Sequence, residues 1–414
     1  MKKKEEIMED ENIDTTKEIV TIKKEGFSYP EMVIIMIIAI LFGFLIGNVV
    51  SFTKKETTNS SVPSELKEFV DTYNDIVNNY YDKVNKEELI DAGIKGMINY
   101  LDDPYATYFD GTSSTNFNQT LEGNYEGVGI EVTLDNSKVK ITKVFADTPA
   151  KKAGIKVGDY ITKVNGESVE GKSLSDVVSL IKTAKNKEVE ITITRDNQEK
   201  TMKVTRTTVD MPYTSSKVYE ENGKKIGYLK IEMFSNNITK QVKKELESLK
   251  KKNIDKLVID VRDNPGGYLT QVTEILSLFM TKKDVIYQLQ TKNNKEKVYS
   301  TSSKATYSYP VVVLINENSA SASEILASAF KETYNAEIVG VNSYGKGTVQ
   351  KTGDLNNGDT IKYTVQKWLT PRGNWINEKG VTPTKEVKLE LKENETLTED
   401  NDNQLKAAIE LASK

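Results

Sequence analysis

The sequence predicts a multidomain α+β protein, with an apolar N-terminal helix, a helical region, a small mostly-β domain and a larger α/β core of βαβ units. Three observations carry that reading. One long apolar run near the N-terminus is free of charge, the periodicity changes from helical to short β-like runs near residue 124, and strands alternate with helices beyond residue 213.

The apolar run extends from Met32 to Thr53 without a charged residue. At about 1.5 Å rise per residue a helix of that length crosses a hydrocarbon layer of about 30 Å. No small-residue cleavage site follows it, so a retained transmembrane helix is expected over 32–53 rather than a signal peptide. Lys2, Lys3, Lys4, Lys17, Lys23 and Lys24 precede the run, and only Lys54 and Lys55 follow closely. That bias predicts a single-pass anchor in a bacterial cell membrane, with residues 1–31 as a cytoplasmic tail and the body outside the cytoplasm. Residues 54–63 read as a linker.

From 64 to 110 a helical region is expected, because Leu66, Phe69, Val70, Tyr73, Ile76 and Val77 recur at helical spacing, followed by Leu89, Ile90, Ile94, Met97 and Ile98. Pro104 ends it. A β-rich domain with one helix is placed at 111–208. Beyond it, 209–385 reads as an α/β core in which the runs LVIDV and VVVLI are apolar throughout, the pattern of strands buried on both faces. Residues 386–414 read as a charged tail ending in a helix.

Composition restricts the chemistry. Of the 414 residues 37% are hydrophobic and 29% charged, with a formal net charge of -4 and no basic excess for nucleic acid. There is no Cys and no His. Disulfides, thiol nucleophiles, zinc sites of the usual His and Cys ligands and imidazole bases are therefore excluded, and no metal or cofactor is expected. A hydrolase built on this chain needs Lys or a carboxylate as its base.

Three stretches supply candidates. PVVVLINENSASASEILASAF reads as a buried strand, a small-residue turn and a helix, so a serine there meets free backbone N–H groups at the positive end of the helix. Such serines also simply cap helices. In SYGKGTVQ, Lys346 lies between two glycines, and burial is what would lower its pKa from about 10.4. In VIDVRDNPGGYL, Gly266 and Gly267 follow a strand and can present N–H groups.

Together, and in this order along the chain, DDPYATYF, YEGVGIEV, DVRDNPGG, NSASASEI and GKGTVQ resemble the carboxyl-terminal processing (tail-specific) serine peptidases over roughly residues 64–385. The resemblance implies a PDZ domain, of β-sandwich or barrel-like form, at 111–208 and a serine protease core at 209–385. It implies Ser321 as nucleophile, Lys346 as base, Gln350 as the residue that orients the lysine, and N–H groups of Gly266 or Gly267 and of Ala322 as the oxyanion hole. In the PDZ domain, Gly127, Val128, Gly129 and Ile130 would hold a terminal carboxylate. Val177 and Ile181 would line the apolar pocket beside it, or equally pack the domain core. Arg195 is a candidate for a regulatory switch. The partners implied are protein or peptide substrates with free C-termini, with homo-oligomer contacts through the helical region and the tail.

Two other readings compete. Ser179–Lys182, Ser235–Asn237 and Lys351–Gly353 match the S-x-x-K, S-x-N and K-T-G pattern of penicillin-binding proteins. A membrane-tethered PDZ protein that binds peptides without cutting them is the second.

Overall fold

The structure is a computed structural model and describes residues 63–182, 186–392 and 395–414. The tail at 1–31, the expected membrane span at 32–53 and all of the linker but its last residue lie outside the described residues. Among the described residues no helix is long and apolar enough to cross a membrane. The chain divides into two compact units between Leu89 and Ile90. The expected helical region resolves into two helices, Ser64–Asn79 and Lys86–Tyr100, the second running across that division.

The β-rich domain is a twisted sheet of five strands in the order Ile130–Asp135, Lys138–Val144, Tyr160–Val164, Glu188–Arg195 and Gln198–Thr205, with Glu167–Ser168 beside the third. Alternation makes these strands. In EVEITITR, Val189, Ile191 and Ile193 are fully buried, while Glu188 is exposed and Glu190 and Thr194 are only partly buried. Two of its hairpins close through Asn136–Ser137 and Asp196–Asn197, whose positive φ values of 50° and 64°, then 52° and 59°, suit the right-handed twist of the paired strands. The helix Leu174–Lys182 covers the sheet through Val177 and Ile181. The segments leading in and out, Asn124–Gly127 and Thr207–Asp210, pair antiparallel, so the domain hangs from a two-stranded ribbon. The helix Gly111–Glu122, placed by the sequence at the start of this domain, precedes the ribbon and packs on it and on the short strand Thr107–Phe109.

The core is a six-stranded sheet in the order Thr214–Glu221, Lys224–Ile231, Lys256–Asp260, Val311–Ile315, Glu337–Gly340 and Lys385–Glu386. All neighbours are parallel except the first pair. Its two inner strands separate their residues by parity. Leu257, Ile259, Val313 and Ile315 pack among the helices Ile238–Lys251, Leu269–Leu276 and Ala322–Glu332. Val258, Val312 and Leu314 pack on the opposite face against Leu405, Ala408, Ile409 and Ala412 of the helix Asn403–Ser413. Both parities are buried, which explains the unbroken apolar runs.

Two features go beyond the expectations. The expected C-terminal helix is the second cover of the core sheet. The βαβ core also carries an antiparallel sheet. It joins Thr107–Phe109, Thr360–Leu369, Val285–Gln290 and Lys295–Tyr299, with Thr348–Asp354 paired to Thr360–Leu369. Its half-exposed strands lack the long apolar runs that flagged the buried sheet.

The C-terminal helix is fastened at its start by charge. Arg262, at the end of the strand that leads to the glycine turn, donates to Asp260 and Asp402 at 2.7 Å each and to Gln404 at 3.0 Å. Asp402 also accepts from the Leu405 N–H at the helix start. The side chains of Arg262, Asp260 and Asp402 are only 8%, 1% and 5% exposed. Removing one member of such a group strands a buried charge. Asp402→Ala is therefore expected to lower unfolding free energy by about 3 kcal/mol, measured by urea denaturation; a change below about 0.5 kcal/mol, the range of ordinary surface substitutions, would contradict this.

Candidate active site

The turn between the strand Val311–Ile315 and the helix Ala322–Glu332 carries three alternate serines that are treated differently. The hydroxyl of Ser319 donates to the Val261 carbonyl and that of Ser323 to the Asn264 carbonyl, both at 2.8 Å. Ser319 and Ser323 are fully buried and stitch the turn to the loop after Asp260. Ser321 lies between them as the first member of a capping box with Glu324, but its hydroxyl donates no hydrogen bond in the described structure, and it opens onto a cleft. Its backbone is held at φ 56°, ψ -112°, a region that costs a side-chain-bearing residue energy and that marks nucleophile turns.

The facing loop is shaped around it. Asn264 is fully buried, accepts from the Gly266 N–H at 2.9 Å and donates to the Ile231 carbonyl at 2.9 Å. Gly266 has φ 105°, and a Cβ there would come within 2.8 Å of the Ser321 Cβ and 3.1 Å of the Ala322 nitrogen. Only glycine lets the two loops approach so closely. Since the Gly266 N–H is already bonded to Asn264, the free donors beside Ser321 are the N–H groups of Gly267 and Ala322, neither of which has a partner among the described residues. Ala322 is the first residue of its helix, where no intrahelical acceptor exists.

Lys346 is placed by its backbone. Its N–H donates to Glu324 at 2.9 Å, and its carbonyl accepts from the indole of the fully buried Trp368 at 2.7 Å. The next residue is gripped likewise, Gly347 donating to Asn377 at 3.0 Å and accepting from Trp375 at 2.9 Å. Glu324 also accepts from the Gly345 N–H at 2.7 Å, the Ser343 hydroxyl at 2.6 Å and the Ser321 N–H at 2.8 Å. One fully buried carboxylate thus holds nucleophile and lysine loops together. Burial pushes its pKa up, against the pull of the four donors.

The ammonium of Lys346 lies 4.6 Å from the ring centre of Tyr105 and makes no hydrogen bond in the described structure. Its pKa is lowered to about 8, first by burial and then by the positive charge of Lys362, while Asp103 and Glu324 oppose the shift. The Tyr105 hydroxyl is pushed up to about 12, chiefly by burial, and so stays neutral. A cleft of about 510 Å³ joins Ser321, Lys346, Gln350, Gly266 and Gly267, with apolar walls from Phe117, Leu121, Met233, Leu269 and Val349.

Gln350 lies in this cleft, but its amide donates to Thr348 at 2.9 Å and Thr364 at 3.1 Å rather than bonding Lys346. In the PDZ-like domain, burial pushes the Tyr125 hydroxyl up, opposed by the nearby backbone of Gly129 in the loop Gly127–Ile130 that was expected to take a carboxylate. Val177 and Ile181 are core residues, 0% and 6% exposed. Arg195 forms a two-pronged ion pair with Asp159 at 2.6 and 2.7 Å and donates to the Gly154 carbonyl, all within its own domain. That is a structural clamp, and no contact ties it to the cleft. Ser179 and Lys182 sit on the helix Leu174–Lys182 while Lys351–Gly353 lies in the core strand Thr348–Asp354, so the penicillin-binding pattern spans two domains and forms no single site.

Residue-level reading missed Glu324, Asn264, Tyr105 and Lys362. The Ser-x-x-Glu spacing of a capping box was a signal for Glu324. Asn264 and Tyr105 lie inside the DVRDNPGG and DDPYATYF stretches, though their contacts are long-range, and nothing local marks Lys362.

Comparison with known proteins agrees with this geometry. The sequence model of peptidase family S41 matches residues 225–387, that of a PDZ domain 140–195, and that of the N-terminal domain of the activating protease CtpB 47–113. The carboxy-terminal processing protease CtpB of Bacillus subtilis (strain 168) is 40% identical over 318 residues, which are 76% of this chain and 66% of that protein, just under two thirds. The carboxy-terminal processing protease CtpA of the same strain is 36% identical over 349 residues, 84% of this chain and 73% of that one. Among solved structures, the photosystem II D1 C-terminal processing protease is 26% identical, with a TM-score of 0.45, over 79% of this chain and 94% of that chain. By its identity to these two bacterial proteases and the length over which it holds, the chain belongs to peptidase family S41, among the carboxy-terminal processing serine proteases.

Proposed function

We propose that the chain is a membrane-anchored serine endopeptidase of the cell exterior that cleaves protein substrates near their C-termini with Ser321 and Lys346 as its dyad. One observation carries the dyad. Of three alternate serines the middle one alone donates its hydroxyl to no carbonyl, in a strained turn, in the same cleft as a buried lysine of lowered pKa. The anchor rests on the uncharged run 32–53 and the lysines before it. Recognition of a terminal carboxylate is assigned to the backbone of the loop Gly127–Ile130, beside the Tyr125 hydroxyl.

In the reaction, neutral Lys346 leaves Tyr105 and takes the proton of the Ser321 hydroxyl as Oγ attacks the substrate carbonyl. The oxyanion sits between the N–H groups of Gly267 and Ala322. The Lys346 ammonium then protonates the leaving amine and the C–N bond breaks. Water, deprotonated by the same lysine, attacks the acyl carbonyl, and the lysine returns the proton to Oγ as the acyl–Oγ bond breaks. Gln350 orients Lys346 once the amide turns from Thr348 and Thr364.

Cleavage of an unfolded protein with an apolar C-terminus, by the fragment from Ser64 onward, tests the proposal. Ser321→Ala should lose at least about 10³-fold in kcat with an unchanged melting temperature, and amidating the substrate terminus should slow the wild type. Turnover retained in Ser321→Ala would refute the nucleophile; binding without turnover by the wild type would favour the non-catalytic peptide-binding reading.

The base works only when neutral, so activity should rise with pH through the Lys346 pKa of about 8. A kcat/KM profile flat from pH 6 to 10 would remove Lys346 from that role. Glu324→Gln replaces one acceptor oxygen by a donor facing backbone N–H groups, so the two loops should separate. A kcat loss of about 10²-fold or more is expected, with native circular dichroism; wild-type kcat would show that the carboxylate does not set the geometry.

A further inference from the structure

The reaction uses one lysine of the cleft, and the cleft has two. Lys362 lies on the strand Thr360–Leu369, opposite Thr352 on one side and Thr107 on the other. Its side chain lines the same cleft as Ser321, Lys346 and Gln350. The ammonium stands 5.2 Å from the ring centre of Phe109 and 5.3 Å from that of Phe117, two rings stacked with centres 4.7 Å apart. Among the described residues it forms no ion pair. Asp103, which also acts on Lys346, influences it only at longer range.

A half-buried ammonium without a counter-ion is costly, and the rings offset only part of that cost. What Lys362 presents to a peptide is a single positive charge in a trench otherwise walled by groups such as Phe117, Leu121 and Val349. The peptide group that complements it is a carboxylate. Register sets its position: Gln350 pairs with Thr364 and Thr352 with Lys362, one full pleat further along the ribbon. That is roughly 7 Å, two residues of an extended chain.

We propose that Lys362 is a specificity-determining residue that takes a carboxylate of the bound peptide, the terminal one or that of an Asp or Glu side chain, a few residues from the bond attacked by Ser321. This rests on the reading of the cleft as the peptidase site, and it is separate from carboxylate capture in the PDZ domain.

The test uses matched fluorogenic peptides with an apolar C-terminal residue. One pair differs as free acid and amide; others differ as Glu and Gln at each of three positions on either side of the cleaved bond. Wild type, Lys362→Met and Lys362→Arg are compared. In one pair the wild type should prefer the carboxylate by about tenfold or more in kcat/KM, through KM. Lys362→Met should bring that ratio to about one and Lys362→Arg should keep it. Because Lys362 also bears on the charge of Lys346, absolute rates shift between variants, and the ratio cancels that shift. The pair that responds tells a terminal carboxylate from a side-chain one. A preference held by the PDZ domain survives Lys362→Met.

The proposal is overturned if the wild type cuts every pair alike, or if the full preference persists in Lys362→Met. The same peptides are titrated onto Ser321→Ala protein, with and without Lys362→Met, by fluorescence anisotropy. A Lys362-dependent carboxylate preference in binding, with no cleavage by the wild type, would defeat the peptidase reading and leave the carboxylate site standing.

Discussion

A single buried carboxylate organises the catalytic half of this molecule. Glu324 receives four hydrogen bonds, from the N–H groups of Ser321, Gly345 and Lys346 and from the Ser343 hydroxyl. An ionised carboxylate has about four acceptor sites and no donor, so the complement is filled. Burying a charge without a cation beside it is unfavourable, and these charge-assisted bonds are what compensate. The arrangement is also selective. The two loops it joins leave neighbouring strands of the core sheet, Val311–Ile315 and Glu337–Gly340, and the N–H groups of Ser321 and Lys346 meet on the same carboxylate oxygen.

The serine triplet shows how local pattern and tertiary packing divide the work. An alternating SASAS run offers three equivalent hydroxyls. Packing of the turn against residues 261–264 consumes two of them as buried stitches, and the same contact presses Gly266 against Ser321. The left-handed backbone of Ser321 persists because both flanks are tied down. Asn264, by engaging the Gly266 N–H, leaves that of Gly267 to face the cleft.

Chemistry without histidine places its demand on burial. Lys346 loses much of its preference for the charged form because water is excluded around Tyr105 and because Lys362 shares the cleft. In this structure it rests on the aromatic face rather than on Ser321, and Gln350 is turned toward two threonines. Ser321 and Lys346 are thus gathered in one cleft without a hydrogen bond between them. The far end of the core is secured separately. Arg262, held between Asp260 and Asp402, ties the C-terminal helix to the strand that leads into the oxyanion turn.

The β–α alternation, the two buried apolar strands and the β-rich insert were legible in the sequence because strand and helix periodicities are local, and so were Ser321, Lys346 and the glycine turn, which share recognisable neighbours. The antiparallel second sheet was not, since its half-exposed strands lack long apolar runs. Nor was the burial of the C-terminal helix, whose apolar face pairs with strands far away in sequence. By itself the sequence determined that any catalysis must proceed without His or Cys, and it named the residues able to do so. Only the tertiary structure decided which N–H groups remain free, that Val177 and Ile181 are buried in the core of their domain while Arg195 pairs with Asp159, that Glu324 and Tyr105 meet the Lys346 segment, and that Lys362 lines the cleft. These depend on contacts between segments tens to hundreds of residues apart, which no local pattern encodes.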